Sequence, residues 1–246
     1  MSELNTKSLA QIVTLDHRAA AIFEKYHLDF CCKGKRSLQQ ACNEQQIPVD
    51  EITTELQNIF RKSASDNKNN FESFSLSQLV DYIVLTHHDY VKKEMPQITA
   101  YLQRVASKHG DRHPEMFKVF RLFAEVKQEM ETHMQKEELI LFPRIKELEK
   151  FVQDSSVQMQ PDIAYLQGPI TVMEHEHDAA GNILNEIRIL TNDYNPPADA
   201  CTTYRLSFAA LKAFEMDLHQ HVHLENNILF PKALEKFFPP TSCSLN

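Results

Sequence analysis

The sequence predicts an all-α protein: an up-down-up-down four-helix bundle preceded by a small three-helix N-terminal domain. Three observations carry this. Only four glycines occur in 246 residues and tryptophan is absent, while long stretches are rich in Leu, Glu, Lys, Gln and Ala, which favour helix over strand. Four long segments, near 75–107, 114–150, 169–192 and 200–237, place apolar residues at alternating steps of three and four. The breaks between them are mostly short: His109-Gly110-Asp111-Arg112-His113-Pro114, a longer loop at 151–168 before Pro169, and Asn195-Pro196-Pro197. Helices joined this way pack antiparallel to their neighbours.

Taken in order, residues 1–62 form the small domain. Ala10, Val13, Ala20, Ile22 and Phe23 predict one helix ending near His27. Gly34 supplies a turn, Ser37 caps a second helix through Cys42, and Pro48 opens a third near 49–61. Its apolar side is Val49, Ile52, Leu56, Ile59 and Phe60. Residues 63–74 are polar and read as a linker. The bundle spans 75–238, and 239–246 is expected to be a disordered tail.

Composition narrows the function. A net charge of −8 argues against a general nucleic-acid surface. No apolar run approaches the roughly 20 residues that span a bilayer. The start, MSELNTKSLAQ, lacks the charged and apolar regions of a secretory signal. Five cysteines, two of them adjacent, suggest a reducing cytoplasm rather than a disulfide framework.

The chemistry is concentrated in a repeat. His133 to Pro143 and His221 to Pro231, 88 positions apart, both read H-x-x-x-E followed by I-L-F-P. Residues four apart on a helix lie one turn up the same face. The apolar stripe of the second long helix runs Val119, Phe123, Val126, Met130, His133, Glu137, Ile140. That of the third runs Ile170, Met173, His177, Ala180, Leu184, Ile187, and that of the fourth Leu211, Phe214, Leu218, His221, Glu225, Ile228. Five ionisable residues therefore interrupt apolar stripes, and buried carboxylates beside core histidines call for a shared cation.

In the first long helix Val84, Val91, Met95, Ile98 and Leu102 define the stripe, and either His87 or His88 fits it. The repeat selects His88. His88-Asp89 precedes His133 by 45 positions, and His177-Asp178 precedes His221 by 44. Antiparallel helices meet at positions equidistant from their connection. The midpoint of His88 and His133 falls inside the 108–113 loop, and that of His177 and His221 is about 4 Å off centre at 1.5 Å per residue. Both pairs can converge at one level.

Four histidines and two glutamates are too many for one ion. Two ions bridged by Glu137 and Glu225 account for the number and the symmetry. Imidazole and carboxylate without thiolate suit iron better than a structural zinc site, with manganese or a mixed pair left open.

The other histidines have plainer readings. His219 and His223 point about 160° away from His221, on the side of Glu215, Asn226 and Asn227, and are expected on a solvated face. His175 is off the stripe. His17 and His27 read as surface or packing residues of the small domain. His109 and His113 lie at the loop end of the bundle, away from the metal level.

At this point the residues resemble a known family. THMQKEELILFP, MEHEHDAAG, ACTTY and HVHLENNILFP, with LDFCCKGKRSL near the N-terminus, are similar to the RIC proteins (repair of iron centres, YtfE/ScdA type), which are hemerythrin-like. The match covers nearly the whole chain except linker and tail. It implies a non-haem di-iron centre, two iron ions bridged by Glu137 and Glu225, with His88, His133, His177 and His221 as further ligands. It also implies one histidine more, matching His109, with His113 as competitor. It marks Cys31 and Cys32 as the functional cysteines, a thiol relay. The chain departs from the family in placing Lys33 and Lys35 around Gly34. Nearby Lys33, Lys35 and Arg36 would favour the thiolate, against the plain reading of two small buried residues on a turn.

The function implied is repair of iron–sulfur clusters damaged by nitrosative or oxidative stress, by donating iron to damaged or apo iron–sulfur proteins. The alternatives are nitric oxide reduction at the di-iron centre, or binding and sensing of NO or O2. Whether the chain is an enzyme, and whether it forms a homodimer, stays open at this stage.

Overall fold

A computed structural model of the chain describes residues 3–61, 71–153 and 162–239. The linker core, part of the 151–168 loop and all but the first residue of the expected tail lie outside the described residues. The described residues are helical, with one isolated β-bridge, Ser8 to Ser37. No described helix is long and apolar enough to cross a membrane. The chain divides into two compact units, Met1–Leu79 with His219–Asn246, and Val80–Leu218.

In the first unit, two helices start from capping boxes. Ser8 begins α2 (Leu9–Leu15) and Ser37 begins α4 (Leu38–Glu44), with Gln11 and Gln40 bonding back to the cap N–H groups. The two starts are tied by backbone bonds, Leu9 N–H to Arg36 O at 3.0 Å and Leu38 N–H to Lys7 O at 3.0 Å. Gly34 closes this turn because a Cβ there would lie 2.1 Å from the Phe30 carbonyl oxygen.

The single helix expected before His27 is two, α2 and α3 (Ala19–Lys25), after a short α1 (Glu3–Thr6). Asp16 makes the break. Its carboxylate accepts from the Arg18 N–H at 3.0 Å and from the Arg18 guanidinium at 2.7 and 2.9 Å. The Arg18 bond holds the Asp16 carboxyl below its ordinary range. α5 (Val49–Arg61) adds Ile52 and Leu56 to a core that buries Leu9, Ile12, Phe23, Phe30 and Leu38.

The C-terminal part of the same unit packs on this module. Glu24 pairs with His219, Asn227 Nδ2 donates to the Cys31 carbonyl at 2.9 Å, and Lys232 Nζ donates to the Glu72 and Phe74 carbonyls. The helix α12 (Phe230–Phe237) follows a π-helical turn at Glu225–Leu229.

The second unit is the bundle. After α6 (Leu76–Ile83) come a π turn (Val84–His88), α7 (Asp89–His109), α8 (Glu115–Lys136), a π turn (Glu137–Leu141), α9 (Phe142–Gln153), α10 (Ala164–Leu190) and α11 (Thr202–Leu224). The expected stripes are buried at Met95, Ile98, Phe123, Met173, Leu184 and Phe214. Phe123 meets Phe214 edge-on at 5.3 Å. Asn192, Asp193 and Tyr194 all have positive φ and turn the chain from α10 toward α11. The Tyr194 hydroxyl then donates to Glu215 at 2.8 Å, beside Arg188 Nε at 3.0 Å.

Two of the three π turns fall in the repeat, each just before a proline. Pro143 and Pro231 lack the N–H that would bond four residues back. The N–H groups just before them, Phe142 and Phe230, reach five residues back to Glu137 O and Glu225 O. The extra residue shifts the register. Ile140, expected on the buried stripe, is 45 % exposed, and Leu141 is buried instead.

α10 also starts earlier than expected, at Ala164, with Pro169 inside it. Pro169 leaves the Tyr165 carbonyl without its helical donor, and Arg144 Nη1 supplies one at 2.9 Å. An Arg144→Met chain is therefore expected to lose about 1–3 kcal/mol in urea unfolding. Adding Pro169→Ala should restore part of that loss, because Ala brings the missing N–H. No rescue would contradict this account of the early start.

Candidate metal centre

Each unit buries its share of the predicted ligands. In the bundle, His88, His133, Glu137 and His177 are all at most 2 % exposed. Glu137 follows His133 by one turn, so its carboxylate rises on the same face. Its Oε2 lies 3.3 Å from both His88 Nε2 and His133 Nε2. His177 Nε2 faces His133 Nε2 at 3.0 Å. Two imidazole nitrogens bound to one ion at about 2.1 Å and right angles would stand about 3.0 Å apart. Two imidazoles thus aim Nε2 at one buried carboxylate and a third Nε2 faces one of them, which is a cation's donor set rather than a hydrophobic core.

The outer nitrogens are held by a matched pair of carboxylates. Glu138 Oε1 lies 2.7 Å from His88 Nδ1 and 2.6 Å from Lys92 Nζ. Glu176 Oε2 lies 2.9 Å from His133 Nδ1, and Lys136 Nζ bonds its other oxygen. Burial raises both carboxyls, but the lysine and histidine hydrogen bonds outweigh it and hold each below the ordinary range. An ionised partner at Nδ1 keeps the proton there and turns Nε2 inward as a ligand. Glu138→Gln is expected to weaken metal binding about 10–100-fold, measured by competition with a chelator; unchanged affinity would refute this positioning. A groove of about 590 Å³, lined by Glu125, Glu129, Lys136, His175 and Glu176, opens beside His133.

In the other unit, His221 and Glu225 are fully buried one turn apart, with Nε2 and Oε1 at 2.9 Å.

Of the paired alternatives, His88 faces Glu137 while His87 bonds Asp217 at 3.0 Å and sits edge-on to Tyr82. His109 is not brought to the other ligands. It ends α7, a 21-residue helix that begins just after His88, and so lies about 31 Å along the axis. Its Nε2 is 3.2 Å from Cys201 Sγ and its ring rests against Tyr204. His113 instead pairs with Asp199 at 3.1 Å. The uninterrupted helix through residue 109 is why neither folds back.

Three residues expected on a solvated face are buried. His223 is 4 % exposed, Asn226 is 7 % and Glu215 is 3 %. His223 packs edge-on to Phe30 at 5.8 Å, and burial pushes it down to about 4. His219, also expected in solvent, is half-buried against Glu24 and Phe30. A helical wheel knows only its own helix, and the cover over these histidines comes from residues near position 30.

Cys31 is buried and Cys32 half-buried, both free, with sulfurs 3.8 Å apart. The neighbouring Cys32 thiol, burial and Asp29 push the Cys31 thiol well above its ordinary value. This reverses the expected thiolate. Arg36 is engaged by Glu44 and the Asp29 carbonyl, and Lys33 and Lys35 are exposed.

Comparison with known proteins agrees with both halves. Residues 79–233 match the Hemerythrin HHE cation binding domain, and residues 5–59 match the ScdA_N domain, described as of unknown function (DUF542). The chain is 36 % identical over 228 residues to the iron-sulfur cluster repair protein YtfE of Musicola paradisiaca, covering 93 % of this chain and 96 % of that one. It is 34 % identical over 226 residues to YtfE of an Enterobacter species, covering 92 % and 96 %. With YtfE of Escherichia coli O81 the identity is 35 % over 217 residues, covering 88 % and 91 %. The buried histidines and glutamates fit a di-metal site in a cation-binding domain of this kind. On these matches the chain belongs to the YtfE-type family of iron–sulfur cluster repair proteins, a hemerythrin HHE domain preceded by a ScdA_N domain.

Proposed function

We propose that this protein repairs iron–sulfur clusters damaged by nitrosative or oxidative stress by supplying iron to them. In this reading His88, His133, Glu137, His177, His221 and Glu225 would together hold two irons, as the family resemblance implies. Glu137 and Glu225 are shared, so neither ion sits in a closed set of its own. The observation that carries the reading is the buried Glu137 carboxylate between the Nε2 atoms of His88 and His133. The names of the relatives support the repair role.

The chemistry suits an iron donor. Imidazole and carboxylate are harder ligands than thiolate, so an acceptor with sulfur ligands can win ferrous iron from them. Glu138 and Glu176 fix the orientation of the inner nitrogens. The groove beside His133 gives small ligands such as NO or O2 a route toward the centre. The targets are damaged or apo iron–sulfur proteins, and the free cysteines fit the cytoplasm where such targets occur.

The test is iron-57 transfer. Labelled protein is incubated anaerobically with an apo iron–sulfur enzyme and a sulfide source. Label in the rebuilt cluster together with recovered enzyme activity is expected. Iron retained by the donor throughout would overturn the proposal.

A further inference from the structure

The turn that carries the two cysteines is built more tightly than a loop needs to be. The Asp29 carboxylate accepts from the backbone N–H groups of Cys31, Cys32 and Lys33 at 3.2, 2.9 and 3.2 Å. Its Oδ1 also lies 3.4 Å from Cys31 Sγ. From the other side Asn227 holds the Cys31 carbonyl, and Gly34 allows the close return past Phe30. A carboxylate and two sulfurs are thereby fixed together, and one donor atom from each lies within 4.8 Å of the others.

The spacing matches coordination. Two thiolates bound tetrahedrally to one ion at about 2.3 Å stand about 3.8 Å apart, and the Cys31 and Cys32 sulfurs are 3.8 Å apart. A carboxylate oxygen at about 2.1 Å on the same ion would lie about 3.6 Å from each sulfur, close to the 3.4 Å observed. We propose that Asp29, Cys31 and Cys32 form a site for one thiophilic divalent cation, zinc or ferrous iron, distinct in its donors from the imidazole–carboxylate centre.

Binding replaces two S–H bonds by two metal–sulfur bonds and releases two protons to solvent. The raised Cys31 thiol supplies one of these protons, because without a cation the crowded sulfurs and the carboxylate repel charge. The half-exposed Cys32 leaves the fourth position open to water or to a partner's thiolate. An ion held by three donors and open at the fourth can be exchanged with an incoming sulfur ligand.

Cobalt(II) titration of the full-length protein tests this. Thiolate-to-cobalt charge transfer in the near ultraviolet is expected to saturate with one ion per chain, with two protons released per ion. The imidazole–carboxylate centre has no sulfur donor, so its d–d bands report on it separately. Cys31→Ser and Cys32→Ser should each abolish the charge-transfer band and leave those d–d bands and the iron content unchanged. Asp29→Asn keeps an oxygen for the backbone N–H groups, so the turn should fold, yet affinity should fall at least about tenfold. Cys42→Ser and Cys201→Ser should leave the band intact. Absence of the band in the unaltered protein, or its survival in the Cys31→Ser, Cys32→Ser double variant, would overturn the site.

Discussion

A Glu137→Gln chain is expected to lose the metal-dependent part of its stability. Glu137 is fully buried, and its Oε2 is 3.3 Å from two imidazole nitrogens. In the proposed centre it is a ligand to both ions, so neutralising it weakens both sites at once, whereas losing a histidine touches one. A ligand present at a hundred times its dissociation constant stabilises the folded state by about 2.7 kcal/mol. If the substitution weakens binding about a hundredfold, the same concentration leaves about 0.4 kcal/mol. Thermal unfolding with and without ferrous iron, under anaerobic conditions, reads the difference. The unaltered protein should shift upward with iron and Glu137→Gln should scarcely move, with iron content per chain falling in parallel. An equal iron-induced shift in both proteins would remove Glu137 from the centre.

The second large effect is a pH dependence centred on His223. Its value falls from an ordinary 6.5 to about 4 because the ring is buried against Phe30. Below pH 6.5 the unfolded chain binds a proton that the folded chain refuses. Stability is therefore complete above about pH 6.5 and is lost progressively as pH falls toward about 4. The difference corresponds to about 3 kcal/mol across that window. Urea unfolding at about pH 7 and about pH 4.5 should show most of this loss in the parent. His223→Gln, which cannot take up the proton, should show a correspondingly smaller loss. Identical losses in the two proteins would show that His223 is not held neutral by the fold.

The parts of the site that were legible in the sequence are those a single helix determines. His133 and Glu137, and His221 and Glu225, are each one turn apart, and all interrupt apolar stripes. The equal intervals to His88 and His177 came from the internal repeat. What stayed hidden depends on partners or on departures from 3.6-residue geometry. A 3.6-residue stripe places Ile140 in the core because it has no π turn. Pro169 reads as a helix start because the substitute donor for the Tyr165 carbonyl, Arg144, is 21 positions away from it. Asp16 split a helix through a side chain that caps rather than packs. His223 read as solvated because Phe30 is 193 positions distant in sequence. Family resemblance points to His109 against its own helix arithmetic, and the continuous α7 keeps it at the loop end of the helix with Cys201 and Tyr204.

Cys31 and Cys32 show the same contrast in chemistry. Lysines and an arginine close in sequence suggested a thiolate, but Arg36 is drawn away to Glu44 and the Asp29 carboxylate stands beside the sulfur instead. Proximity along the chain overstated the positive field. The adjacent Cys32 thiol and burial, with Asp29 beside them, keep the Cys31 thiol protonated instead.

The most direct test of the account is iron content with Mössbauer spectroscopy on protein isolated without chelators. Two irons per chain are expected, appearing as a magnetically coupled pair with nitrogen and oxygen ligation. That signal should survive Cys31→Ser with Cys32→Ser and vanish in Glu137→Ala and Glu225→Ala. One iron or none per chain in the unaltered protein, or two uncoupled irons indifferent to both glutamates, would contradict the carboxylate-bridged centre on which the proposed repair function rests.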